Sequence, residues 1–188
     1  MNIMIVGVGG QGTLLTSRII GKTALSAGYD VKISEVHGMA QRGGSVVTYV
    51  RFGQSVSEPT VEEGDVDVLL AFERLEAMRY AHFLKKDGVI VVNDCRIDPM
   101  TVTVGAAEYP DDILEKLQKE HTVYAINGDK IAQEIGNSKV LNSVVLGLAA
   151  KHMQFSKEEW LAVLQTTVPP KTVELNTLAF EKGYNNEQ

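Results

Sequence analysis

Two short stretches gather the side chains able to do chemistry. In "GVGGQG", Gly7, Gly9 and Gly12 keep the G-x-G-x-x-G spacing, with Gly10 and Gln11 among them. In "SEVHGMAQRGGSVVTYVRFG", from Ser34 to Gly53, an acid (Glu35), a histidine (His37), an amide (Gln41) and a guanidinium (Arg42) precede Gly43 and Gly44. Glycines at the first spacing allow a tight turn and close backbone approach, and a helix opening there offers unpaired N–H groups to an anion. Arg42 before two glycines sets a guanidinium beside free backbone N–H groups, which suits a phosphate or a carboxylate. Glu35 stands about 23 residues after Gly12, where a dinucleotide fold carries its ribose-binding acid. One reading is therefore NAD(P) or FAD binding. The other is a tight strand-to-helix turn that packs closely, with some other anion at its mouth. Gly10 and Gln11 make a flatter surface than dinucleotide binding requires. In the second stretch, the plainer reading is that Arg42 pairs with Glu35 and His37 caps a turn.

Other patterns fail on their own requirements. Gly21-Lys22-Thr23 resembles the end of a P-loop, but the upstream glycine should be at position 16, where Thr16 stands, and the triplet lies inside a helix instead of opening it. The histidines at 37, 82, 121 and 152 show no metal-binding spacing. No nucleophile or second base accompanies His37 at useful spacing, so no catalytic residue is assigned. The one cysteine, Cys95, reads as a buried filler. It allows no internal disulfide, which fits a reducing cytoplasm. It also excludes an iron–sulfur cluster held by this chain alone, which needs about four thiolates.

The elements that must position the two stretches alternate between strand and helix. "NIMIVGVG" reads as a buried strand entering the glycine turn, and "TLLTSRIIGKTALSAG" as a helix stopped by Gly28. "YDVKIS" and "SVVTYVRF" are strands on either side of the second stretch. "VDVLLAF" and "GVIVVND" are further strands, with a helix over "ERLEAMRYAHFLKK" between them ending at Asp87-Gly88. A helix over "DDILEKLQKE" and a strand over "HTVYAIN" follow. Beyond about residue 128 the chain reads as helical. "KVLNSVVLGLAAKHM" is apolar almost all round and so buried, Ser156 and Glu159 have capping-box spacing, and a last helix starts near Pro169-Pro170. Val173, Leu178 and Phe180 are expected on its buried side. The expected fold is α/β: a single Rossmann-like three-layer domain over residues 1–188, with a mostly parallel sheet and extra C-terminal helices. In such folds ligands meet the carboxyl ends of the strands.

Composition narrows the partners. The 188 residues carry a formal net charge of −6, which disfavours nucleic acid, since phosphate binding needs clustered Lys and Arg. No apolar run approaches the roughly 20 residues of a membrane helix, and "MNIMIVGVGG" lacks the basic region of a signal peptide, so a cytoplasmic location is expected.

Taken together, "GVGGQG" and "HGMAQRGGSV" resemble the gamma domain of 2-oxoacid:ferredoxin oxidoreductases, and most closely the small (beta) subunit of its indolepyruvate branch. "VLNSVVLGLAA" and "VPPKTVELNTLAFEKGY" resemble the family's C-terminal helices, so the likeness covers nearly the whole chain; residues 95–125 carry little of it. The resemblance implies a complex in which a 2-oxoacid, coenzyme A and oxidised ferredoxin give acyl-CoA, carbon dioxide and reduced ferredoxin. It places thiamine diphosphate and the [4Fe–4S] clusters in a large partner subunit. It implies that Gly7, Gly9, Gly10, Gln11 and Gly12, with His37, Gln41, Arg42, Gly43 and Gly44, form a surface that docks the partner and shapes its active site, where coenzyme A or the substrate carboxylate arrives.

Overall fold

The computed structural model describes residues 1–37 and 43–186. Gln41 and Arg42 lie outside the described residues, and so does the centre of the second stretch. Among the described residues, six strands make one sheet in the order β2-β3-β1-β4-β5-β6. They are β1 (Asn2–Val8), β2 (Asp30–His37), β3 (Ser45–Gly53), β4 (Val66–Ala71), β5 (Leu84–Asn93) and β6 (Thr122–Ile126). β1, β4, β5 and β6 pair in parallel. β3 runs against both neighbours, inserted between β1 and β2. The short link from His37 to Ser45 explains the inversion, because a parallel return needs a crossover of about a dozen residues or more. The mostly parallel α/β sheet expected from the alternation is present, with one reversed strand.

Helices cover both faces. On one lie α1 (Thr13–Ser26), α5 (Gly128–Ile135), α6 (Leu141–Ala150), α7 (Lys157–Thr167) and α8 (Val173–Tyr184). They bury Ile3, Ile5, Val50, Phe52, Leu70 and Val91 together with Trp160 and Phe180. On the other face α2 (Arg74–Tyr80) and α4 (Ile113–Glu120) cover Met4, Val6, Leu69, Ile90 and Val92. α6 is buried along almost its whole length, as its uniform apolarity requires. It meets α8 at Gly147 and Gly183, where an added Cβ would lie 2.1 Å from the Phe180 carbonyl and 1.9 Å from the Val144 carbonyl. The capping box at Ser156 and Glu159 opens α7. Among the described residues, no helix is long and apolar enough to cross a membrane.

Two expectations are corrected. The helix expected through Lys86 stops at Tyr80; a short 3-10 turn, Ala81–Phe83, follows, and Leu84 already begins β5. Leu84 is buried and pairs with Val66, and Lys85 Nζ binds Asp67 Oδ1 at 2.8 Å. Tertiary pairing here overrides a helix-forming local sequence. Leu178 is 43% exposed, so it is not on the buried side of α8; that side is carried by Asn176, Ala179, Phe180 and Gly183. Asn176 is held there by accepting from Ser143 Oγ at 2.7 Å and donating to the Thr172 carbonyl at 2.8 Å, which accounts for a residue poorly suited to a helix interior. A further short helix, α3 (Met100–Thr103), lies in the stretch that carried little signal.

Candidate functional site: a glycine ridge at the strand ends

The inversion of β3 brings the two glycine stretches together. β1 ends and β3 begins at the same rim of the sheet, where Val8 pairs with Ser45. One step further out, the Gly9 N–H donates to the Gly44 carbonyl at 2.8 Å. Gly10, with φ of 105°, and Gly43, with φ of 79°, are both exposed on this ridge. His37 closes β2 at the same rim, its backbone paired with Val46. The rim is the carboxyl edge of the parallel strands, where ligands of open α/β sheets bind.

Gly12 is the N-cap of α1, in the left-handed region with φ of 80°. A Cβ there would stand 2.1 Å from Asn142 Nδ2. Asn142 donates to the Gly12 carbonyl at 3.2 Å, tying α6 to the turn. The first turn of α1 carries no acid, so its N–H groups present an uncompensated positive end.

Gln11 does not face outward. Its Oε1 accepts from the Val8 N–H at 2.7 Å and its Nε2 donates to the Phe72 carbonyl at 3.0 Å. Asn93 Nδ2 donates to the same carbonyl at 3.3 Å, and Asn93 Oδ1 accepts from Gly128 N. The amide of Gln11 therefore joins the ends of β1 and β4, at the point where a dinucleotide fold leaves a crevice for its diphosphate. Gly7 lies beneath it, since a Cβ there would come 2.9 Å from Gln11 Oε1.

A cavity lies on each side of the ridge. One, of about 400 Å³, is lined by Gly9, Gly10, Gly12, Thr13, Leu14, Glu35 and Val46. Glu35 accepts there from Thr48 Oγ1 at 3.2 Å. The other, of about 330 Å³, lies between Gly43, Gly44 and Ser45 and the α2–α3 side, with Glu76, Arg79, Ile97 and Met100 on its wall. A larger, shallower groove of about 600 Å³ runs beside Ile131, Leu178 and Glu181. It holds none of the glycine residues, so we assign the site to the ridge.

Several buried polar groups surround the ridge, and spacing gave no sign of them. Glu76 accepts from Ser45 Oγ and from Arg79 Nε. Glu73, 1% exposed, caps α2 by accepting from Glu76 N, and also accepts from Tyr109 Oη at 2.5 Å and Ile97 N at 3.2 Å. Burial, then the bond to Glu73, pushes the Tyr109 phenol well up. Cys95 donates to the Phe72 carbonyl at 3.2 Å. Its thiol is pushed up to about 12, first by burial and then by Asp129 and Glu73. A thiol so disposed is neither a nucleophile nor a ready ligand at neutral pH.

The chain matches the pyruvate ferredoxin/flavodoxin oxidoreductase family over residues 2–186. It is 44% identical to indolepyruvate oxidoreductase subunit IorB of Thermococcus kodakarensis, across 97% of this chain and 93% of that one. Identity falls to 26% against the pyruvate/ketoisovalerate oxidoreductases common subunit gamma of Pyrococcus furiosus, over 97% and 94% of the two chains. The crystal structure of the keto/oxoacid ferredoxin oxidoreductase gamma subunit from Geobacter sulfurreducens superposes with a TM-score of 0.70 at 26% identity, covering 97% of this chain and 95% of that one.

Proposed function

The chain belongs to the pyruvate ferredoxin/flavodoxin oxidoreductase family, and from that premise we propose that it serves an oxidoreductase complex as its small subunit, with the glycine ridge as the surface that meets the larger subunit. The substrate is an arylpyruvate such as indolepyruvate. The contrast between 44% and 26% identity supports the aryl branch over the pyruvate branch. The complex converts the 2-oxoacid and coenzyme A, with oxidised ferredoxin, to acyl-CoA, carbon dioxide and reduced ferredoxin. It works in the cytoplasm, and residues 1–188 act in it as one domain.

The donor set of this chain does not fit the redox groups. One cysteine, with its thiol pushed up to about 12, cannot hold a [4Fe–4S] cluster. Among the described residues, no group of three or more His, Cys, Asp or Glu is placed to hold the metal ion that would accompany a diphosphate. Thiamine diphosphate and the clusters accordingly belong to the larger subunit. The likeness to oxidoreductase small subunits along almost the whole chain favours this reading over a free-standing NAD(P)- or FAD-binding protein.

The observation that carries the proposal is the ridge itself: bare backbone, braced on its inner side, at the ligand-binding rim of the sheet. Arg42, which precedes Gly43 in sequence, is assigned to meet the phosphates of coenzyme A or the substrate carboxylate. Arg42→Ala should raise the Michaelis constant for one of them in the complex about tenfold, the loss expected of one charge-assisted contact. Unchanged constants for both would remove Arg42 from the site.

A further inference from the structure

We propose that Glu76 is a positioning residue for the glycine ridge, acting through Ser45; this rests on the reading that the ridge meets the larger subunit. Glu76 belongs to α2, on the face of the sheet opposite α1, and is 5% exposed. Its Oε2 accepts from the Ser45 hydroxyl and its Oε1 accepts from Arg79 Nε at 3.2 Å. Tyr80 Oη lies 3.2 Å from the same serine oxygen. A carboxylate is costly to bury unless it is hydrogen-bonded, and a hydroxyl donating to it forms one of the stronger hydrogen bonds.

Ser45 is the first residue of β3 and pairs with Val8; Gly44, just before it, receives the Gly9 bond. Gly43 and Gly44 have no side chains of their own to pack, so their placement depends on what holds their neighbours. Gln11 fixes the β1 limb of the ridge, and Glu76 fixes the β3 limb. The Glu76 carboxylate also borders the second cavity, whose wall continues onto Ile97 and Met100. Met100, 73% exposed, lines the same cavity.

The test is a titration of the larger subunit with the full chain, reading the half-saturating concentration by indolepyruvate-dependent viologen reduction well below the lowest melting temperature. Wild type, Ser45→Ala, Glu76→Ala and Glu76→Gln are compared, and each isolated chain is melted. Ser45→Ala and Glu76→Ala should raise the half-saturating concentration about tenfold, as loss of a hydrogen bond to a charged group would. Glu76→Gln keeps an oxygen that can accept from Ser45, and should recover most of that loss. A lower melting temperature with wild-type half-saturation in the alanine variants would overturn the inference, leaving Glu76 a role in the fold alone. If Glu76→Ala does not fold, Ser45→Ala decides the matter. If the wild-type chain itself has no effect on the larger subunit, the docking reading fails and the inference falls with it.

Discussion

The Gly9 N–H donates to the Gly44 carbonyl at 2.8 Å, so two glycine stretches far apart in sequence form one ridge. With the Gly43 N–H donating to the Gly9 carbonyl at 3.5 Å, that bond continues the contact of β1 and β3 past their last side-chain-bearing pair, Val8 and Ser45. A ridge of backbone can approach a partner or a ligand more closely than one covered by side chains.

The inner brace of the ridge is testable without any partner. In Gln11→Glu the carboxylate can still accept from Val8 N but sets an acceptor against the Phe72 carbonyl. Denaturant unfolding should show a loss of about 2 kcal/mol, the order expected when a buried hydrogen bond is replaced by an unsatisfied pair. If the chain serves as a small subunit, an NADH titration of the purified chain should show no saturable binding, and Glu35→Ala should leave that result unchanged. Saturable binding lost in Glu35→Ala would revive the dinucleotide reading.

At Gly12 two constraints coincide: a left-handed backbone and Asn142 at the Cβ position. Gly12→Ala should destabilise the chain by about 2 kcal/mol or more. Adding Asn142→Gly should recover only the steric part, because the positive φ remains. Full recovery in the double variant, read by thermal melts, would show that the backbone conformation costs nothing.

How much of this was legible beforehand depends on what each feature rests on. The strands of the sheet core could be read because burial on both faces demands continuous apolar runs such as "VDVLLAF". Capping at Ser156 and the stop at Gly28 are local chemistry and were equally plain. The end of α2 was not, because Leu84 turns to strand only through its pairing with Val66. The two glycine stretches stand out by composition alone, yet the inward turn of Gln11 does not, since its partners Val8 and Phe72 meet only in the folded sheet. Ser45 and Glu76 carry no shared motif; their contact is purely tertiary.

Cys95 should be silent to alkylation. With its thiol pushed up to about 12, almost none is thiolate at pH 8. Iodoacetamide should label the native chain far more slowly than the urea-unfolded chain, as read by intact mass. Equal rates would contradict the half-buried, hydrogen-bonded placement.

His152 gives the chain an acid sensitivity with a defined sign. Its ring lies tilted against Tyr124, the centroids 4.1 Å apart, and burial, then Lys151, lowers its pKa from the ordinary 6.5. A group whose folded pKa lies below its unfolded value contributes stability that is present above the unfolded pKa and lost as pH falls through the folded one. Melting temperature should therefore fall as pH drops below about 6.5, and His152→Gln should flatten that fall. An identical slope in wild type and variant would assign the acid sensitivity elsewhere.

If the proposed function holds, the chain acts only with its larger partner. The most direct measurement is anaerobic reconstitution: viologen reduction by the purified larger subunit with indolepyruvate, thiamine diphosphate and coenzyme A, with and without this chain. Activity should need both proteins and be far weaker with pyruvate or 2-oxoglutarate. A larger subunit equally active alone, or unaffected by saturating amounts of this chain, would contradict it.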